Sequence, residues 1–294
     1  MNSVDVSVSH HRTFRHATGR IVQCGIFGAR DMRKVVFYSH GFPASRIEAF
    51  AAHQAASARG LTIIALDRPG FGGSDWYEGR QFEDWAGDVE LVANELGVQR
   101  FSILGVSGGT PTAVAAAGAL PERVTSLVIV SGIGPVVGGS SLRGMNLANR
   151  AFLHLGITVP ALARGGVWAL GQVWRTFPRA VAVWFGALLP GVDRKIVTRK
   201  EVATILARNI KEALSQGVQG TVSEFALLAS DWSHLLQKVT VPTRIWHGTA
   251  DTYVPFCMGE ALHRRIVGST INKVMGGGHF MILDTIDQVL DSLE

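Results

Sequence analysis

Four short runs, at residues 34–39, 61–66, 101–106 and 124–130, are rich in β-branched and other apolar residues, three of them almost without interruption. Helix-like segments near residues 46–59, 82–96 and 108–120 separate them. A strand with one wet face alternates apolar and polar side chains, whereas a strand covered on both faces reads as a nearly continuous apolar run. Parallel neighbours cannot be joined by a tight turn, so runs of this kind alternating with helices call for crossover connections. The expected fold class is therefore α/β, with a mostly parallel sheet and helices on both faces. Residues 4–8 and 21–27 read as an antiparallel pair ahead of it.

The alternation stops after residue 130 and resumes with a strand at 243–247, a helix near 256–266, a strand at 271–275 and a helix over 281–293. Between these parts, residues 134–229 are rich in Leu, Ala, Trp and Arg at helical spacing, with glycine and proline punctuation and no strand run. The simplest division is a core of residues 1–133 and 230–294 interrupted by a helical insertion at 134–229. Apolar residues make up 47% of the 294, which supplies a core of that size.

The charge is uneven. Residues 134–223 carry eleven Lys/Arg against three acids, an excess of +8 in a chain whose net charge is +5. Solvated helix faces, an anionic substrate or contact with a membrane surface would each account for it. No nucleic-acid motif accompanies the charge, so no nucleic-acid partner is expected. No stretch of about 18 apolar residues exists to span a membrane, and residues 1–20 lack the continuous apolar centre of a secretory signal. Cys24 and Cys257 stand far apart without metal-ligand spacing. These features lead us to expect a soluble, cytoplasmic protein in a reduced compartment, with no metal and no organic cofactor.

Chemistry is concentrated at the ends of the strand-like runs. Gly105-Val106-Ser107-Gly108-Gly109 fits G-x-S-x-G and lies between the run at 101–106 and the alanine-rich stretch 112–119. On a sharp strand-to-helix turn a serine projects its Oγ outward, with the first N–H groups of the helix behind it. Serine is a weak nucleophile and needs an imidazole as base, itself oriented by a carboxylate. Asp251 follows the strand at 243–247, and His279 follows that at 271–275 after three glycines. Both sit beyond carboxyl ends of strands, where open α/β sheets build their sites. His40-Gly41-Phe42-Pro43 follows the run at 34–39. Pro43 has no N–H to donate, which leaves the Phe42 N–H, with that of Gly108, as the donor pair for an oxyanion, each worth roughly 3 kcal/mol. His40 reads as a brace for its loop, and residues 67–75 as a structural turn at the rim of the site.

In this order the four motifs resemble the α/β-hydrolase superfamily, in its lidded single-domain form, over nearly the whole chain outside 134–229. The resemblance implies Ser107 as nucleophile, His279 as base, Asp251 as its orienting acid, and residues 134–229 as a helical cap, or lid, over the site. Epoxide hydrolases and haloalkane dehalogenases of this superfamily carry a carboxylate where Ser107 stands, which argues against both. Aminopeptidases that hold an ammonium with acidic cap residues fit poorly with three acids against eleven bases. What remains is hydrolysis of a carboxylic ester, a lactone or a carbon–carbon bond through an acyl-enzyme, or transfer of the acyl group to peroxide or another acceptor. A ligand-binding protein on the same fold is the alternative of a different class. The substrate is expected to be a small acyl compound, anionic or apolar, with Trp168, Trp174 and Trp184 as candidates for lining its pocket. Cap packing and interfacial contact remain the other uses of these aromatics, and the oligomeric state is open.

Overall fold

The computed structural model describes residues 10–137 and 142–293, with the side chain of Phe185 outside the description. Its eight strands are β1 (His10–Arg15), β2 (Ile21–Gly28), β3 (Val35–Ser39), β4 (Thr62–Leu66), β5 (Phe101–Val106), β6 (Val124–Val130), β7 (Thr243–Gly248) and β8 (Thr270–Val274). They form one sheet in the order β1-β2-β4-β3-β5-β6-β7-β8. β1 and β2 pair antiparallel, as do β2 and β4; every pair from β4 through β8 is parallel. The partner of β2 at the edge is thus residues 10–15; residues 4–8, expected in that place, lie outside the described residues. β1 reads HHRTFR and is exposed at nearly every position, so it carries no apolar alternation to announce it. Cationic side chains on an edge strand also discourage pairing with a further chain.

Alternate residues of the strands enter two cores. Val35, Phe37, Ile64, Leu66, Ile103 and Ile129 face one side, and Val36, Tyr38, Ile63, Ala65, Leu104 and Val130 the other. Helices α1 (His53–Ala58) and α11 (Ile282–Asp291) close the second core, while α2 (Asp84–Glu95), α3 (Thr110–Ala119) and α10 (Phe256–Arg265) close the first. Coverage of both faces explains the unbroken apolar runs.

Between β6 and β7 the described residues are helical: α4 (Leu147–Thr158), α5 (Pro160–Thr176), α6 (Pro178–Leu188), α7 (Gly191–Val197), α8 (Lys200–Ala213) and α9 (Gln219–Leu228). Buried polar contacts tie this segment to the sheet. Glu224 of α9 pairs with Arg68 and Arg80, all three buried, and Asn209 of α8 accepts from the Ser45 backbone N–H at 2.8 Å. The strand order reverses between β3 and β5: the chain steps outward from β3 to β4, then crosses back. A reversal of this kind, at the carboxyl ends of the strands, is where open α/β sheets bind ligands.

Candidate active site

Ser107 directly follows β5, and the 40–43 loop directly follows β3, so the strand reversal makes the two neighbours. Ser107 has φ of +51°, a left-handed conformation that a residue with a Cβ adopts only when its surroundings impose it. Behind it the chain turns into α3, whose Pro111 stands in the first turn, where its missing N–H is no loss. A Cβ on Gly108 would lie 2.5 Å from Phe42 Cβ and 3.2 Å from Phe42 N. Only glycine lets the 40–43 loop approach that closely, and the approach brings the two expected donor residues together beside Ser107.

His279 and Asp251 reach the same place from β8 and β7. His279 Nε2 lies 3.0 Å from Ser107 Oγ, and His279 Nδ1 lies 2.8 Å from Asp251 Oδ2. A carboxylate only accepts, so Nδ1–H donates to Asp251 and, in the neutral ring, Nε2 accepts from the serine hydroxyl. Asp251 is itself held by the backbone N–H groups of Tyr253 and Val254, both 2.9 Å from Oδ1. Burial pushes the His279 imidazole toward the neutral form, but Asp251, through charge and hydrogen bond, outweighs it with help from Asp193 and Glu48. Its pKa therefore stands above the ordinary histidine value.

The structure thus brings Ser107, Asp251, His279, Phe42 and Gly108 to one place, and treats the three tryptophans differently. Trp174 packs against the small buried cluster of Phe71, Ile210, Ala213, Leu214 and Val218, as Phe42 also does. Trp168 and Trp184, expected with it as pocket candidates, are 52% and 71% exposed. α6 turns Ala180, Val183, Trp184, Ala187 and Leu188 to solvent as one stripe. All eleven Lys/Arg of residues 134–223 are exposed as well. Their charge belongs to the outside of the segment.

Several supporting residues had no signal in the sequence. Fully buried Arg68 donates to the backbone carbonyls of His40 and Gly41, the latter at 3.0 Å. Glu48 accepts from the Gly41 N–H at 2.6 Å, and burial raises its carboxyl pKa. Ser131, beyond β6, donates to the His279 carbonyl at 2.9 Å. His40 accepts from the Arg68 N–H at 3.2 Å and is 3.0 Å from the Gly41 carbonyl. Burial and the Arg68 charge hold it well below the ordinary pKa, which suits the bracing role expected of it. No cluster of three or more His, Cys, Asp or Glu side chains suited to a metal occurs among the described residues, and among them no helix is long and apolar enough to cross a membrane.

A family whose sequence model is described as alpha/beta hydrolase fold matches residues 34–285. A non-heme chloroperoxidase of Streptomyces lividans is 26% identical over 272 residues, covering 90% of this chain and 91% of its own length. A bifunctional esterase/perhydrolase of Acinetobacter calcoaceticus is 27% identical over 232 residues, 78% of each chain. Among solved structures, an esterase from Exiguobacterium antarcticum superposes with a TM-score of 0.67 at 22% identity, over 96% of this chain and 97% of its own.

Proposed function

Because this chain belongs to the alpha/beta hydrolase fold family, we propose that it is a serine hydrolase of carboxylic esters or related acyl bonds, lactones included, working through an acyl-enzyme. The observation that carries the reading is the hydrogen-bonded series Ser107–His279–Asp251, with contacts of 3.0 and 2.8 Å, at a serine of positive φ. Ser107 Oγ attacks the substrate carbonyl while its proton passes to His279 Nε2, and Asp251 stabilises the imidazolium. The N–H groups of Phe42 and Gly108 receive the oxyanion. The protonated His279 then gives its proton to the departing alcohol, and a water activated by the same imidazole releases the acid. Residues 134–229 form the cap over this site, with Trp174 on its inner side. The reaction needs neither metal nor organic cofactor.

The acyl substrate is neutral rather than anionic in this reading. The cap's cations are all exposed, whereas the carboxylates Asp251, Asp193 and Glu48 all act on His279. Likeness to the esterase/perhydrolase favours one variation, in which hydrogen peroxide replaces water at the acyl-enzyme and a peracid leaves.

p-Nitrophenyl esters of short and medium acyl chains test the proposal with the protein and its Ser107→Ala variant. Hydrolysis that disappears in the variant, together with labelling of Ser107 by a fluorophosphonate, is the expected result. Absence of both would leave a binding protein on a hydrolase fold. Adding peroxide to the esterase assay and titrating peracid separates water from peroxide as acceptor.

A further inference from the structure

Residues 134–223 hold three acids, and Asp193 is the only one of them that is fully buried. It is the third residue of α7 and reaches out of the helical segment to the loop that carries His279. Its Oδ1 accepts from the backbone N–H of Phe280, the next residue, at 2.8 Å. A Cβ on Gly278, the residue before, would come within 2.3–2.5 Å of the Asp193 carboxylate. The loop can therefore lie against this acid only with glycine at that position. Asp193 Oδ2 is buried and has no hydrogen-bond partner among the described residues. Leaving a buried oxygen unsatisfied costs about 1–3 kcal/mol, more when it is charged, so a carboxylate kept in that state needs a compensating charge from elsewhere.

We propose that Asp193 is a positioning residue for His279: it pegs the loop that presents the imidazole, and it holds a second buried negative charge that is matched only when the ring is protonated. The inference rests on the proposed role of His279 as base. In the resting state Asp251 is satisfied by Tyr253 N–H, Val254 N–H and His279 Nδ1–H, whereas Asp193 Oδ2 has no donor among the described residues. As Ser107 Oγ bonds to the substrate carbon, its proton moves to His279 Nε2, and the new imidazolium lies in the field of both carboxylates. The proton later leaves Nε2 with the alcohol, and the pairing is undone. An interaction stronger in the transition state than in the ground state lowers the barrier. The groups around His279 that bear on this are Asp251 and Tyr253 after β7, His247 on β7, Glu48 after β3 and Asp193 on α7. Asp193 is the only one of them that comes from the segment between β6 and β7, so seating of that segment and readiness of the base are linked.

The test follows the imidazole rather than turnover. The His279 resonance, identified among ten histidines by its loss in His279→Gln, is titrated by NMR in the wild type and in Asp193→Asn. Asparagine keeps the Oδ1 acceptor and the volume while removing the charge. The expected result is a downward shift of about half a unit or more, with Asp193→Glu staying nearer the wild type. With a hydrolysed ester, kcat falls about tenfold while KM stays within about twofold. A shift below about 0.2 units would reduce Asp193 to a structural peg and overturn the inference. If asparagine is not tolerated, Asp193→Ser, smaller and neutral, is titrated in the same way. A shift without ester hydrolysis by the wild type would leave the electrostatic link standing and remove the acyl chemistry instead.

Discussion

A methyl group at residue 108 has nowhere to go: it would meet Phe42 Cβ at 2.5 Å, and Phe42 is bound through Gly41 to Arg68 and Glu48. Gly108→Ala should push the two donor residues apart, lowering kcat/KM for an ester by about 10²-fold or more and slowing fluorophosphonate labelling, with the circular dichroism spectrum unchanged. Retained activity would mean that these N–H groups do not hold the oxyanion. Gly108 was legible in the sequence, as were Ser107, Asp251 and His279, because each stands in a loop just beyond a strand-like run. Ser131 and Asp193 were not. A serine after a strand or an acid in a short helix has no local mark, and their partners lie across the fold.

At the scale of elements, sheet strands and flanking helices were readable because burial on two faces writes itself into consecutive residues. The pairing of elements was less so. Arg68 and Arg80 belong to the loops between β4 and α2, and Glu224 to α9; nothing in either stretch announces that they meet. Removing one member of a fully buried group leaves charges without their nearest partner, out of reach of water. Glu224→Gln is expected to destabilise by on the order of 3 kcal/mol, read as the urea midpoint at unchanged slope. Asp287→Asn is the comparison: Asp287 pairs with Arg59 but its side chain is 68% exposed, and its loss should register under about 1 kcal/mol. Equal effects would mean that the buried group contributes no more than a surface pair.

For the molecule as a whole, activity and stability should run against each other in pH. Proton abstraction needs neutral His279, so kcat/KM rises as pH climbs through the folded-state pKa, which lies above the ordinary 6.5. The protonated ring is the form the fold favours. Its contribution to stability is complete below the unfolded-state value of about 6.5 and is lost as pH rises through the folded-state value. The expected outcome is an acid limb of kcat/KM centred above 6.5, with a fall in Tm across the same window that His279→Gln abolishes. A limb centred below 6.5 would contradict the charge arrangement around the ring. Grafting is where the hold of Glu224 on Arg68, and of Arg68 on the 40–43 loop, shows its reach. The helical segment is not an exchangeable module: a chimera that replaced it with that of another hydrolase would bring a new specificity and, without an acid in the place of Glu224, strip the neighbouring loop of its anchor.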